Sequence, residues 1–347
     1  MTPTPRSSRP SKPANSAKTR AAAGTKKPRT APPPATPALV TVDGIDLPGL
    51  RRPHPALGLG LWGRGRWSTE DEARTKAAIG RAYERGIRWF DTAEVYGAGR
   101  SERLLGDVLA RAAGGGHDAF VVTKVSWEHL RPAQVRASLV RSLERLARSS
   151  VDLYLVHAPD PHVPLSETMP ALEALWKEKK VGALGVSNFS VEQLEEAGRH
   201  LSEARIVVNQ VRYNLLDRTE GDPLREYCRS HDILIEAYSP LARGLLAGRS
   251  LDGRRLPPEA RRLSSKLFDP EHRPTMLETA RALRELASDA GVPLASIALH
   301  WLRRQGAAPV FGASRPEQVD QNLSAWAVRP RAAVLERADA LARGALA

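Results

Sequence analysis

Cysteine is nearly absent from this 347-residue chain, and long apolar runs are missing from it. Because Cys228 is the single cysteine, the sequence excludes an intrachain disulfide and the disulfide framework of small secreted domains. No apolar run approaches the roughly 18 residues that a membrane-spanning helix requires. We therefore expect a soluble cytoplasmic protein that has no membrane partner.

Acidic residues are missing from the first 40 positions, which contain eight Lys or Arg and are rich in Pro, Ala, Ser and Thr. Removing these eight from the net charge of +13 leaves +5, an ordinary value for a soluble domain. Large apolar residues are scarce there, so residues 1–37 are predicted to be disordered. A solvated tail is the favoured interpretation. Organelle targeting and weak contact with polyanions are the alternatives, and no specific nucleic-acid partner is expected.

Six short apolar runs each lead to a polar residue of a kind used in catalysis or binding, at steps of roughly 30 residues. The runs lead to Asp91, Lys124, His157, Ser187, Gln210 and Tyr238. A strand, a loop and a helix together need about this spacing. With a first strand at 56–61 and an eighth at 309–311, the pattern favours one closed (β/α)8 barrel, an α/β fold, over residues 38–347. Parallel strands would bring these polar groups together at one end.

Two segments outside the repeat are expected to close the ends of the barrel. Short alternating stretches flank Asp43-Gly44 and predict an N-terminal hairpin over residues 40–47, which would plug the base. The interval from Leu245 to Thr275 follows the seventh strand and is polar and rich in Arg. It is predicted to cover the opposite face, where the active site would lie.

The segment Gly58-Leu59-Gly60-Leu61-Trp62-Gly63 matches the G-x-G-x-x-G pattern of dinucleotide-binding Rossmann domains. That site requires a helix to begin at the third glycine, so that the helix N-terminus meets the pyrophosphate. Here the residues from Arg64 to Ser68 postpone the helix. We interpret the segment as a glycine-rich first barrel strand and its loop.

Asp91, Tyr96, Lys124 and His157 form the more specific combination. Reduction of a carbonyl by hydride requires a proton on the oxygen, which a phenol with a pKa near 10 gives up reluctantly. An ammonium about 4 Å away interacts by roughly 4 kcal/mol, so we expect Lys124 to lower the pKa of Tyr96 by up to about three units. Asp91 would hold the ammonium, and His157 would orient the carbonyl. Each residue alone has an ordinary structural explanation, but four complementary groups favour catalysis.

Motifs along most of the chain resemble those of the aldo-keto reductases. They are Gly86–Gly97, Ser101–Gly106, Val122–Lys124, Asp152–His157, Gly185–Phe189, Asn209–Val211, Ala237–Leu241 and Gly244–Leu246. The resemblance implies a (β/α)8 barrel that binds NADP(H) without a Rossmann domain and reduces aldehydes or ketones. It also implies that Tyr96 is the proton donor, that Lys124 and Asp91 tune it, and that His157 orients the carbonyl.

The same resemblance assigns residues to the cofactor. The nicotinamide site is matched by Ser187, Asn188, Gln210 and Tyr238. The pyrophosphate loop is matched by Ser239, Pro240, Leu241 and Gly244. The adenosine end is matched by Gly312, Ser314, Arg315, Gln318 and Asn322. Arg315 and Ser314 would favour NADP(H) over NAD(H), since a guanidinium and a hydroxyl suit a dianionic phosphate. A solvated arginine beside a helix N-terminus is the alternative for Arg315.

The substrate site departs from the family pattern, because Ala158 follows His157 where many members place a tryptophan. The pocket is therefore expected to be open, with Trp62 and Trp127 as candidate walls. We expect a metal-free NADPH-dependent reductase that acts on a small-molecule aldehyde or ketone. A nucleotide-binding regulatory or redox-sensing subunit with little turnover is the alternative.

Overall fold

The computed structural model of the chain describes residues 39–62, 67–218, 221–248 and 271–346. Several predictions concern residues outside these ranges. They are the disorder predicted for residues 1–37, the last glycine of the glycine-rich loop at position 63, and the greater part of the cover predicted over 245–275.

Ten strands and ten α-helices make up the described chain. The strands are β1 (Gly44–Ile45), β2 (His54–Pro55), β3 (Gly58–Gly60), β4 (Trp89–Asp91), β5 (Phe120–Val125), β6 (Val151–Val156), β7 (Val181–Ser187), β8 (Ile206–Arg212), β9 (Leu234–Tyr238) and β10 (Ala307–Gly312). The helices are α1 (Thr69–Glu84), α2 (Arg100–Arg111), α3 (Pro132–Leu146), α4 (Leu165–Lys177), α5 (Val191–Arg199), α6 (Gly221–Ser230), α7 (Arg273–Asp289), α8 (Leu294–Arg304), α9 (Pro316–Ala327) and α10 (Ala332–Leu346). In the ranges described, no helix is both long and apolar enough to cross a membrane.

Strands β3 to β10 form a closed barrel in the order β10-β3-β4-β5-β6-β7-β8-β9. Every neighbouring pair in this order is parallel. The predicted (β/α)8 barrel is therefore confirmed. Because the strands are parallel, their carboxyl ends all lie at one end of the barrel, which is where this fold places its active sites.

The barrel interior is filled by a cluster of apolar side chains that includes Trp89, Phe120 and Leu153. Gly58 is needed for this packing, because a Cβ at that position would collide with the ring of Trp89. The stretch Gly58–Gly60 is strand β3, and the next helix begins only at Thr69. The G-x-G-x-x-G pattern thus belongs to a barrel strand, as expected, and not to a Rossmann turn.

The base of the barrel is closed by a hairpin whose strands differ from those predicted. The predicted N-terminal hairpin is confirmed, but strand β1 pairs antiparallel with β2 and not with residues 40–42, so the predicted bounds of 40–47 are wrong. A two-residue hairpin turn at Asp43-Gly44 would need positive φ at the first position or at both, and neither residue has it. Ile45, Leu47 and Leu50 nevertheless pack against the interior cluster, so this segment does plug the base.

Candidate active site

The barrel brings the predicted polar residues to its carboxyl end. Strand β4 ends at Asp91, β7 at Ser187 and β9 at Tyr238, while His157 directly follows β6. The parallel register pairs Ser187 with Gln210 on β8. The barrel strands thereby hold these side chains in one group.

Lys124 is fully buried and makes three polar contacts through Nζ. The ammonium donates to Asp91 Oδ2 at 2.7 Å, to the carbonyl oxygen of Thr92 at 2.8 Å and to the hydroxyl oxygen of Tyr96 at 3.4 Å. Burial opposes its charge, but Asp91 and Tyr96 outweigh burial and raise the pKa of Lys124. The ammonium therefore stays charged beside the phenol at neutral pH.

Tyr96 departs from the expected pKa. The hydroxyl lies within reach of Lys124, but burial raises the pKa of Tyr96 to about 12, against the lowering effect of the ammonium. The expected net decrease is wrong because loss of water around the hydroxyl outweighs the single cation, whose shorter hydrogen bonds go to Asp91 and Thr92. Tyr96 consequently holds its proton throughout the neutral range.

His157 lies beside Tyr96, with 5.5 Å between the ring centroids and the rings edge to face. Burial, with a smaller contribution from Lys124, lowers the pKa of His157 to about 3, so the imidazole is neutral at pH 7. Its Nδ1 is buried and has no hydrogen-bond partner within the described part of the chain. A tautomer with hydrogen on Nε2 leaves only a lone pair at Nδ1, which costs less than an unsatisfied donor. Nε2 is then the donor available to a ligand.

The residues predicted for the nicotinamide form a connected group of amide and hydroxyl side chains. Asn188 Nδ2 donates to Ser187 Oγ at 3.0 Å, and the Tyr238 hydroxyl donates to Asn188 Oδ1 at 3.0 Å. Gln210 Nε2 donates to Asp91 Oδ2 at 2.8 Å. These neutral groups suit a neutral carboxamide, and the partly buried ring of Tyr238 offers a face for stacking.

The two predicted phosphate segments lie on the loops after β9 and β10. Ser239 and Gly244 both have positive φ, at 55° and 105°, in the loop that also contains Pro240 and Leu241. The Gly244 N–H is already used, since it donates to the carbonyl oxygen of Leu241 at 2.8 Å.

The adenosine segment runs from the end of β10 into α9. Gly312 ends the strand, and the exposed Arg315 is the residue before the helix. Gln318 Oε1 accepts from the backbone N–H of Ser314 at 2.8 Å, so this side chain orders the turn. Asn322, one turn further along α9, is buried.

The candidate substrate walls are two exposed tryptophans on different loops. Trp62 is 41% exposed and Trp127 is 44% exposed. Trp127 lies 5.8 Å from His157 between ring centroids. Its turn is held by Glu94, whose Oε1 accepts from the backbone N–H of Ser126 at 2.6 Å. Trp127 is therefore placed directly beside the neutral imidazole.

Three residues near the site were not predicted from the sequence. The Arg243 guanidinium lies 5.5 Å from the centroid of Trp62, and Glu236 accepts from Gln210 Nε2 at 2.6 Å inside the barrel. His54 contacts Glu236 from below. A carboxylate within the apolar run of residues 233–237 is the one signal that would have drawn attention to Glu236.

Comparison with known proteins supports the same family. The profile of the Aldo/keto reductase family matches residues 56–343. An uncharacterised oxidoreductase of Mycobacterium tuberculosis is 34% identical over 276 residues, which cover 78% of this chain and 83% of the relative. The NADH-specific methylglyoxal reductase of Escherichia coli is 28% identical over 296 residues, covering 78% and 89%. The crystal structure of an aldo-keto reductase from Klebsiella pneumoniae in complex with NADPH superposes with a TM-score of 0.70 at 28% identity, covering 87% and 95%.

The barrel and the matches together define an NAD(P)-dependent oxidoreductase of the carbonyl-reducing class. The chain belongs to the aldo/keto reductase family.

Proposed function

We propose that this protein reduces an aldehyde or ketone to an alcohol with NADPH, and that Tyr96 supplies the proton. The observation that carries the proposal is the buried Lys124 ammonium, which joins Asp91 at 2.7 Å and Tyr96 at 3.4 Å. This buried ammonium is well placed to stabilise the phenolate that remains when Tyr96 gives up its proton.

The cofactor is proposed to lie across the carboxyl end of the barrel. Ser187, Asn188 and Gln210 would hold its carboxamide, and Tyr238 would stack on its ring. When bound, NADPH supplies the hydride. The exposed Arg315 and the NADPH complex of the Klebsiella relative favour the phosphorylated cofactor, although the Escherichia coli relative is named as NADH-specific.

The chain's own residues would then control the proton. Tyr96 keeps its proton at neutral pH and would release it to the developing alkoxide, which is a stronger base than phenolate. The neutral His157 would donate from Nε2 to the carbonyl oxygen and so orient it. Lys124 would counter the charge left on Tyr96, while Asp91 keeps the ammonium in place.

Purified protein is mixed with NADPH and 4-nitrobenzaldehyde, and the loss of NADPH absorbance is followed. Tyr96→Phe should lower kcat by a factor on the order of 10² or more and leave NADPH affinity nearly unchanged. Tyr227→Phe, which alters a ring stacked on His231 outside the barrel, is the matched control. Wild-type turnover in Tyr96→Phe would refute the role of this hydroxyl. NADPH binding without turnover across a panel of carbonyls would instead support the regulatory alternative.

A further inference from the structure

The interior of the barrel contains an imidazole and a carboxylate that the proposed chemistry does not use. His54, on β2 of the hairpin at the base, and Glu236, on β9, are both 0% exposed. His54 Nε2 lies 2.9 Å from Glu236 Oε1. The imidazole packs edge to face on Trp89 and Phe120, with centroids 4.4 and 4.9 Å away. A polar pair placed this deep is expensive unless both partners are satisfied.

The hydrogen positions of this pair follow from its other contact. His54 Nδ1 lies 2.8 Å from the carbonyl oxygen of Pro55, and a carbonyl oxygen can only accept. Nδ1 therefore carries a hydrogen. The contact between Nε2 and Glu236 then holds one further proton, which belongs either to an imidazolium or to a carboxylic acid. In both arrangements the pair has no net charge.

Glu236 also determines the orientation of the Gln210 amide. Gln210 Nε2 donates to Glu236 Oε2 at 2.6 Å and to Asp91 Oδ2 at 2.8 Å. Both amide hydrogens are thereby used by two acidic side chains, so the amide can serve a ligand only as an acceptor, through its oxygen. Asp91 Oδ2 is the same atom that accepts from Lys124. The base of the barrel is thus connected to the reacting end by continuous hydrogen bonds.

We propose that His54 and Glu236 are positioning residues of the active site: a buried neutral pair that holds the Gln210 amide and Asp91 from beneath. The inference rests on the proposed function, because it assigns Gln210 to the nicotinamide and Asp91 to Lys124. It goes beyond that function by giving the hairpin at the base a role in catalysis.

The neutrality of the pair matters because other titratable groups share this interior. They are Asp91, Lys124, Tyr96 and His157. The Glu236 carboxylate acts on two of them, since it contributes to raising the pKa of Asp91 and of Lys124. Where the proton lies on the imidazole, removal of His54 with Glu236 kept leaves an unbalanced negative charge beside this group. Deprotonation of Tyr96 then becomes harder.

Alcohol oxidation, the reverse reaction, requires the deprotonated form of Tyr96 and so gives a rising pH profile. His54→Phe should shift that rise to higher pH by about half a unit, which lowers the oxidation rate about threefold at a fixed pH on the rising limb. The double variant His54→Phe/Glu236→Gln, which removes the charge as well, should return the rate at that pH to the wild-type value. A loss of rate in the folded single variant that persists in the double variant would overturn the proposal.

A second pair of variants tests positioning through cofactor affinity. In Glu236→Gln the new amide can donate to His54 Nε2 and accept from Gln210, so the Kd for NADPH should stay within roughly threefold of wild type. Glu236→Leu removes the acceptor and should weaken NADPH roughly tenfold. If the two variants bind NADPH equally well, His54 and Glu236 contribute only to packing, and the proposal is refuted. Glu173→Gln, at a buried glutamate on α4, controls for general loss of stability.

The position of the proton can be measured without cofactor. Nitrogen-15 spectra of the cofactor-free protein should show His54 Nδ1 protonated in the wild type, and Nε2 unprotonated in Glu236→Gln. A wild-type ring protonated on Nε2 alone would contradict the assignment. Because these spectra need neither NADPH nor turnover, failure of the proposed reductase activity is distinguishable from failure of this inference.

Discussion

Removal of the buried cation by Lys124→Met should strongly impair turnover. At 3.4 Å and an effective dielectric of 20, the ammonium stabilises a negative charge on the Tyr96 oxygen by about 5 kcal/mol. The developing alkoxide lies one hydrogen bond further away, at about 6 Å, where the same calculation gives about 3 kcal/mol. Since each 1.36 kcal/mol corresponds to a factor of ten, kcat should fall by a factor of roughly 10².

The assay is single-turnover reduction of 4-nitrobenzaldehyde by the enzyme–NADPH complex, with NADPH affinity measured separately by fluorescence. Circular dichroism must show a folded variant, because removing one partner of a buried ion pair costs about 3–5 kcal/mol of stability. Lys76→Met is the matched control, since Lys76 pairs with Asp107 at 2.8 Å on the surface. A folded Lys124→Met that keeps kcat within about threefold of wild type would refute the electrostatic argument.

Three further outcomes are expected. Because the pKa of Tyr96 is raised to about 12, carbonyl reduction should stay constant through the neutral range and alcohol oxidation should rise with pH; a reduction rate that falls near pH 7 would contradict this. Arg315→Ala should weaken the binding of NADPH much more than that of NADH in a fluorescence titration. Equal losses of affinity would contradict the proposed contact between Arg315 and the phosphate. Burial would raise the pKa of Glu173, but backbone hydrogen bonds from residues 202–204 lower this pKa to about 2. The ionised Glu173 therefore stabilises the fold at neutral pH, and this stabilisation is lost as the pH falls from the ordinary pKa of a glutamate towards 2. Glu173→Gln should cost about 2 kcal/mol in urea unfolding at pH 7, clearly more than Glu178→Gln at an exposed position, and an equal effect of the two would refute the account.

The barrel could be predicted from the sequence because its signal is local and repeated. Each apolar run marks a strand, and the polar residue that follows it, such as Asp91 or His157, marks the carboxyl end. The pairing of β1 with β2 was missed because the two strands are separated by eight residues without a recognisable tight turn. A hydrophobic pattern shows that this segment is buried, but it does not show which strand it pairs with.

The electrostatics of the site could be predicted only in part. The contact between Lys124 and Asp91 follows from neighbouring strand ends, but the pKa of Tyr96 depends on how much water the folded barrel removes from around its hydroxyl. Glu236 illustrates the same limit. Strands of a parallel barrel are buried on both faces, so periodicity does not indicate that this carboxylate points inward towards Gln210.

Trp62 and Trp127 lie on loops, whereas Asp91 and Lys124 lie on strands that are hydrogen-bonded to neighbours on both sides. The proposed substrate walls therefore lie apart from the buried ion pair that is proposed to support Tyr96. A library that randomises the two tryptophans would sample new pocket shapes while Asp91 and Lys124 stay in place. Changes of substrate specificity should therefore be sought in these loops.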